Sequence, residues 1–521
     1  MNPAVRRRGV FALAAVCLSA LMLGLEISSI PSILPTIERV MGASFRQLQW
    51  IMAAYTTAMT TILMATGTLA DRYGRKRVFM IGIAAFGVTS LVCGLTGQAS
   101  VLIVARFLQG MSAAMMLICQ VAVLSHQFRD GPARSTAFAW WGIIFGIGLG
   151  FGPLIGGAIV AWWRWEWVFL VHVVLAVVTL FLAGAGVQES RDPHARSLDV
   201  AGIVTLSLSV FCLVLFVTQG PVLGFGSPAA LGIAGSSAAS LACFVVAERV
   251  SQRPMLDFSV FRVRNFSGAL LGSMGMNFSF WPVIIYLPIY FQAALGYDSV
   301  QAGLALLAYT LPTLVIPPIA ERLSVRYRPG LVIPAGLLTI GLGLLLMKLG
   351  SMAEHPSWLT LLPGCVLAGI GLGLTNTPVT NTITGAIPGE RAGMASGADM
   401  SARMISLAFN IALMGFILVE RILWSLKDAL DARDSPELRL SAERIAAGDI
   451  AFPAQGASML SPGLDPGEVI QAALVSGFGA VMLYGAISAC LLAVGSFLVF
   501  APKEMLKAPD CRAACKGETS A

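Results

Sequence analysis

Charge is what this 521-residue chain has least of: Asp, Glu, Lys and Arg supply 12% of it, while hydrophobic residues supply 57%. A soluble domain carries roughly twice that charge, so an ordinary water-soluble fold is excluded. Histidine is scarce as well. The four His (His126, His172, His194 and His355) are scattered and form no H-E-x-x-H pair able to hold a catalytic zinc. No G-x-x-x-x-G-K-[ST] stretch is present, so the phosphate cradle of an ATP-driven machine is missing. The alternation of apolar and polar residues in segments of about ten, the mark of a spanning barrel, is also absent. Of the nine Cys, Cys17, Cys93, Cys119, Cys212, Cys243, Cys365 and Cys490 lie in apolar runs, where a thiol behaves as a small hydrophobe. Cys511 and Cys515 form a C-x-x-x-C pair in the polar tail without a nearby His, and they read as reduced bystanders. Neither a metal nor a cofactor is expected.

What the chain has is apolar length. Runs of about eighteen or more apolar residues recur throughout, each long enough to cross a bilayer core of roughly 30 Å as a helix rising ~1.5 Å per residue. The expected class is therefore an all-α polytopic membrane protein. The first run follows Arg6, Arg7 and Arg8, extends from about Gly9 to Leu34 and has no small-residue cleavage site, so it reads as a retained span. Fourteen spans are expected, at about 9–34, 48–70, 78–98, 100–125, 136–160, 166–187, 199–219, 228–247, 266–292, 300–320, 330–349, 358–386, 394–419 and 470–500. An even number places both termini on one side. With that side cytoplasmic, most Lys and Arg fall in inner segments, including Arg72, Arg75, Lys76, Arg77, Arg322, Arg326, Arg328, Lys503 and Lys507. The short outer loops keep only Arg39, Arg46, Arg164 and Lys348. The positive-inside rule then sets the orientation. The net charge of +7 reflects that topology and not a nucleic-acid partner.

Trp162, Trp163, Trp165 and Trp167 crowd one outer connection and read as interface anchors. The one large soluble insertion, about 421–469, contains "SLKDALDARD" and "PELRLSAERIAAG", whose apolar residues recur at helical spacing. Short amphipathic helices on the outer surface are expected there, with a disordered loop as the alternative. "ERLSVRYRP" from Glu321 echoes a charged turn at Asp71, which suggests repeated halves around a midplane site. The expected domains are residues 1–187, a six-helix bundle; 188–265, two inserted helices with linkers; 266–500, a second six-helix bundle carrying the outer loop; and 501–521, a cytoplasmic tail.

The charged turn itself reads "GTLADRYGRKR". Gly67 and Gly74 suit a tight two-helix turn, Arg72, Arg75 and Lys76 hold it at the inner face, and Asp71 can cap a helix or pair with an Arg to latch its neighbours. The fifth span, which contains "GIGLGFGPLIGG" from Gly146 to Gly157, sets Gly142, Gly146 and Gly150 on one row and Gly148, Gly152 and Gly156 on an adjacent one. Such rows let helix backbones approach closely, and Pro153 favours a bend. The charged turn, "RFLQGMSAA" in span 4 and the glycine-rich stretch ending at Gly156 and Gly157 together resemble signature motifs of the major facilitator superfamily. With fourteen spans, the chain resembles the drug:proton antiporters of the EmrB/QacA type within it. That resemblance implies the major facilitator fold, with two six-helix bundles plus two inserted helices, in a bacterial inner membrane. It also implies export of amphipathic drug-like or metabolite compounds driven by protons, without a cofactor. Its partners would be a small-molecule substrate, protons and the lipid bilayer. In bacteria with two membranes some relatives work with a periplasmic adaptor protein, and the outer loop is where one would dock.

Charge inside the membrane is the sharper signal, because an ionisable group in hydrocarbon is costly unless paired or facing a wet cavity. Glu26 in span 1 lies roughly 12 Å deep and Arg106 in span 4 roughly 10 Å deep from the same side, so they can meet. His172 in span 6 lies at a similar depth. A carboxylate that alternates between desolvation and a partner can carry a proton, which makes Glu26 the expected coupling acid. The family pattern D-x-T-I-V-N-V-A-L-P reads here "EISSIPSILP", with Glu26 at the Asp, Ser28 at the Thr and Pro31 at the Asn. His172 likewise stands where the family usually has Asn, so the substrate does not carry over from relatives. In span 13, Asp399 and Arg403 are four residues apart on one helix face, as a second titrating acid or a simple neutralising pair. Phe278, Phe280, Trp281, Tyr286 and Tyr290 in span 9 are candidates for an aromatic cavity wall. The rival functions are a symporter for a small polar solute and a transporter-like sensor, which would bind without flux.

Overall fold

The computed structural model describes residues 3–43, 45–128, 131–191, 200–250, 258–353, 355–387, 392–430, 436–446, 448 and 466–500. Every regular element in them is helical, as a backbone in hydrocarbon requires when its polar groups must satisfy one another within a segment. The first half holds α1 (Pro3–Met41), α2 (Phe45–Tyr73), α3 (Arg75–Leu95), α4 (Ala99–Gln127), α5 (Gly131–Trp162) and α6 (Trp167–Gly186). Next come α7 (Val200–Leu223) and α8 (Pro228–Val250). The second half holds α9 (Arg264–Ile289), α10 (Ser299–Thr310), α11 (Pro312–Val315), α12 (Pro317–Tyr327), α13 (Pro329–Ser351), α14 (Trp358–Gly385), α15 (Ala392–Leu430), α16 (Pro436–Ala446) and α17 (Pro466–Val499).

Among the described residues twelve helices are singly long and apolar enough to cross a membrane. The expected span at 300–320 is not one straight helix: Val300–Val315 and Pro317–Tyr327 meet at 44°. Pro312 and Pro317 supply the reason, since each lacks the amide hydrogen that would continue the ladder. The expected outer insertion also begins later than 421. The first part of "SLKDALDARD" continues α15 to Leu430, and Pro436–Ala446 forms a separate helix. That helix buries Leu438, Ala442 and Ile445 in the core of the second half, so its apolar face is already covered. Trp162 and Trp163 are exposed as anchors should be, but Trp165 is buried, with its ring edge-on to Phe169. The tail with Cys511 and Cys515 lies outside the described residues.

The helices associate in two groups, each with its own apolar core. α1 packs on α5 and α6, α4 on α2 and α3, and α3 on α6; α13 packs on α14 and α17, and α9 on α15 and α17. The groups meet along α5 with α10 and α2 with α15, where Met400 and Met404 of α15 enter the core of the first group. α7 lies against both α2 and α15. It holds α8 through reciprocal hydrogen bonds: Ser209 Oγ donates to the Ser237 carbonyl at 3.0 Å, and Ser237 Oγ donates back at 2.9 Å. The turn Arg328 between α12 and α13 has φ 69°, while Gly74 between α2 and α3 has φ 110°. The two charged turns therefore share a positive-φ hinge as well as a sequence echo.

Glycine sets the distance between α1 and α5. A Cβ on Gly148 would stand 2.8 Å from the Leu21 carbonyl, one on Gly152 would stand 1.8 Å from Ser28 Oγ, and one on Gly156 would stand 2.8 Å from Ser32 Oγ. The neighbouring row splits: Gly146 and Gly150 face Leu314 and Thr310, whereas a Cβ on Gly142 would meet nothing within 4 Å among the described residues. Pro153 and Gly157 are buried on the same helix. Gly152→Val is expected to force α1 and α5 apart and cost roughly 1–3 kcal/mol. Thermal unfolding of the purified protein in detergent checks this, and an unchanged midpoint would show that the glycine row does not set the helix spacing.

Candidate functional site

The structure brings Glu26, Arg106 and His172 together. Glu26 sits on α1 with no exposed surface, and Arg106 on α4 is 2% exposed. A guanidinium hydrogen bond from Arg106 Nη1 reaches Glu26 Oε1, and the same nitrogen donates to Gln109 Oε1 at 2.7 Å. Arg106 Nε donates to the Ile51 carbonyl at 3.2 Å, which ties α2 to the pair. Gln109 is held in turn by donating to Ser90 Oγ of α3 at 2.8 Å. The guanidinium carbon lies 4.4 Å from the Tyr55 ring centre, within cation–π reach. His172 Nδ1 is 3.5 Å from Glu26 Oε2 and 3.0 Å from the Val168 carbonyl, and its Nε2 is 3.2 Å from the Met22 carbonyl. Five helices thus converge on one carboxylate.

The second half holds a matching couple. Arg403 Nε reaches both carboxylate oxygens of Asp399, at 3.0 and 3.1 Å, and its Nη1 and Nη2 donate to Asn376 Oδ1 and Thr380 Oγ1 of α14 at 2.7 and 3.1 Å. Ser273 Oγ of α9 donates to Asp399 Oδ1 at 2.6 Å. Both Asp399 and Arg403 are buried. A charge taken out of water is tolerated only with a partner and hydrogen bonds to its remaining atoms; both Asp399 and Arg403 have them, whereas Glu26 Oε2 has no hydrogen-bond partner among the described residues and faces His172 Nδ1 at 3.5 Å.

Between the two groups lies a cavity of about 1300 Å³. Arg106 and Arg403 line it while Glu26 and Asp399 sit behind them. On α2 the lining runs from Leu48 to Thr60, on α1 it reaches Glu38 and Arg39, and α16 contributes Arg439 and Glu443. The cavity therefore extends toward the α1–α2 connection. Trp281 and Tyr286 line it as the spacing in span 9 suggests. Phe278 and Tyr290 do not. Phe278 meets Phe409, and Tyr290 is fully buried against Phe478 where the chain widens into a π turn over Tyr290–Ala294. Phe280 is likewise buried, stacked 4.1 Å from Tyr309.

The charged turn is held by two sets of contacts. Asp71 accepts from Arg75 Nε and Nη2 at 3.0 and 2.8 Å, within its own turn. The longer-range tie comes from Glu189, beyond α6, whose carboxylate accepts the backbone amides of Lys76 and Arg77 at 3.0 and 3.2 Å and so caps α3. A Cβ on Gly74 would stand 2.6 Å from that carboxylate, so both its positive φ and its surroundings demand glycine. Lys76 Nζ donates to the Gly184 carbonyl at 2.8 Å. Gly67 makes only ordinary contact with Ile118, and Arg72 lies beside the Tyr73 ring. Among the described residues no group of three or more His, Cys, Asp or Glu could hold a metal ion.

A helical membrane protein with a central cavity walled by buried ion pairs has the form of a secondary transporter. Comparison gives the family: the sequence profile of the Major Facilitator Superfamily matches residues 16–410, and the chain belongs to it. It is 32% identical over 414 residues to the multidrug resistance protein Stp of Mycobacterium tuberculosis (strain CDC 1551 / Oshkosh), covering 80% of this chain and 76% of that one. It is 30% identical over 497 residues to the tetracenomycin C resistance and export protein of Streptomyces glaucescens, covering 93% and 90%. The crystal structure of the human organic anion transporter MFSD10 (TETRAN) superposes with a TM-score of 0.60 at 14% identity, covering 96% of this chain and 100% of the other, which speaks for the fold.

Removing one member of a buried ion pair leaves the other uncompensated, at a cost of about 3–5 kcal/mol. Arg106→Leu is expected to lower thermal stability on that scale, and the double variant Arg106→Leu, Glu26→Gln to recover most of it. Equal stability of the single and double variants would mean that the pair is not a structural unit.

Proposed function

We propose that this chain is a proton-driven exporter of amphipathic drug-like or metabolite compounds, working by alternating access in a bacterial plasma membrane with both termini cytoplasmic. The observation that carries the proposal is the Glu26–Arg106 pair, buried in one wall of a cavity large enough for a drug-sized solute. The names of the relatives, multidrug resistance in one case and antibiotic resistance and export in another, support the direction of transport. We count fourteen spans: the twelve singly sufficient helices, the bent α10–α12 unit, and α2, whose 29 residues exceed a bilayer's width around the apolar stretch Trp50–Leu63. The two helix groups are then two six-helix bundles, with α7 and α8 as the inserted pair.

The cavity extends toward the α1–α2 connection, and Met400 and Met404, which also line it, pack into the core of the first bundle. With the basic turns cytoplasmic, this is the outward-facing state. Glu26 is the coupling acid. A proton arriving from outside converts the carboxylate to the acid and dissolves its ion pair with Arg106. Release of that proton inside restores the pair. Asp399 and Arg403 form the corresponding couple in the second bundle.

In inverted membrane vesicles, addition of a transported compound is expected to trigger proton movement in the wild type and not in Glu26→Gln. Equal proton movement in both would transfer coupling to Asp399. Labelled compounds that bind without moving protons in either protein would overturn the exporter reading in favour of a sensor.

A further inference from the structure

We propose that the bent α10–α12 unit, with Arg322 and Arg326 near its end, forms a binding site for an anionic phospholipid of the inner leaflet. The inference takes its orientation from the cytoplasmic placement of the basic turns and otherwise stands apart from the exporter reading.

The sides of this unit are divided among three surroundings. Thr310 and Leu314 meet Gly150 and Gly146 of α5 across the two halves. Thr313 and Pro317 line the cavity. Leu311, Val315 and Ile319 are each two positions from one of those cavity residues, a turn of about 200° at ~100° per residue, so they point the opposite way. All three are exposed. The stripe they make, at spacings of four, continues through Arg322 and Arg326, which are exposed as well. From Leu311 to Arg322 is about eleven residues or ~16 Å, close to half of a bilayer core of roughly 30 Å. The change from apolar to basic therefore falls where the acyl chains of one leaflet give way to phosphate.

The charges at that point are left for a ligand. In the first charged turn the acids are spent on the turn itself, since Asp71 accepts from Arg75 and Glu189 from the amides of Lys76 and Arg77. In the second turn the acid is drawn away. Glu321 Oε1 accepts from Asn381 Nδ2 of α14 at 2.8 Å, and its Oε2 is buried without a partner among the described residues. Among the described residues neither Arg322 nor Arg326 has a carboxylate partner. Arg326 lies instead over the exposed ring of Tyr327, with its guanidinium carbon 5.3 Å from the ring centre. A guanidinium offers paired donors that match two phosphate oxygens, and two of them one helical turn apart make a phosphate clamp. With Glu321 turned into the protein, the ammonium of a zwitterionic headgroup meets only positive charge here. A headgroup with a net negative charge is matched, which selects phosphatidylglycerol over phosphatidylethanolamine.

The test measures binding of three probes to the full-length protein in detergent: dioctanoyl phosphatidylglycerol, dioctanoyl phosphatidylethanolamine and glycerol phosphate. Phosphatidylglycerol is expected to bind about fivefold or more tighter than either of the others. Arg322→Gln and Arg326→Gln are each expected to weaken it about fivefold, the scale of one arginine at an anionic lipid surface. Arg77→Gln, which removes an exposed arginine of the first turn, is expected to leave it unchanged. Equal binding of the two lipids would remove the recognition of charge, and equal binding of glycerol phosphate would remove the lipid. The same loss in Arg77→Gln as in Arg322→Gln would remove a defined site. Each of these results overturns the proposal. The export reading is judged separately in vesicles, because lipid binding is measured without a proton gradient. Binding as expected without proton movement keeps the lipid site and removes antiport, whereas proton movement with unchanged lipid binding in Arg322→Gln and Arg326→Gln removes the lipid site alone.

Discussion

A carboxylate and a guanidinium buried side by side impose a strict condition on everything around them. The attraction between them compensates for lost hydration only if the remaining donors and acceptors also find partners. Around Glu26 and Arg106 the partners of the guanidinium come from α2, α3 and α4 through the Ile51 carbonyl, Gln109, Ser90 and the Tyr55 ring, while Glu26 Oε2 has no hydrogen-bond partner among the described residues and faces His172 of α6 at 3.5 Å. The positions of five helices follow from satisfying one charge pair. The close glycine contact of α5 on α1 then places the cavity wall next to that pair, because Gly24 and Gly148 touch two residues from Glu26.

The second half applies the same solution with different residues. Asp399 and Arg403 are neighbours on one helix, secured by Ser273, Asn376 and Thr380. In both halves the base faces the cavity and the acid lies behind it. A proton reaching either acid therefore changes the charge balance of the wall that a solute touches, which is the physical link that a coupled transporter requires. The interface between halves is fitted for movement: it rests on α2 with α15 and α5 with α10, and unbranched, pliable methionines supply part of the contact.

Much of this was legible in the chain. Apolar length gave the class, and residue counts from the span ends brought Glu26, Arg106 and His172 to one depth. The glycine rows of α5 were readable as close packing, although the spacing did not tell that Gly142 faces open space. What stayed hidden depended on partners distant in sequence. Glu189 looks like any loop acid until the fold sets it at the start of α3, and Tyr55 and Trp141 carry no local motif. The aromatic reading of span 9 was half right, since helix periodicity places Trp281 and Tyr286 correctly but cannot foresee the π turn that buries Tyr290. Pro312 and the Pro317–Pro318 pair held the signal for the broken helix.

The account turns on Glu26 changing its protonation state when a solute occupies the cavity. Infrared difference spectroscopy of the full-length protein in lipid, with and without a transported compound, observes that carboxyl group directly. The account predicts a protonated-carboxyl band that diminishes on solute binding and is missing in Glu26→Gln. A carboxyl region unchanged by the solute, or a band that survives the substitution at full strength, would contradict it.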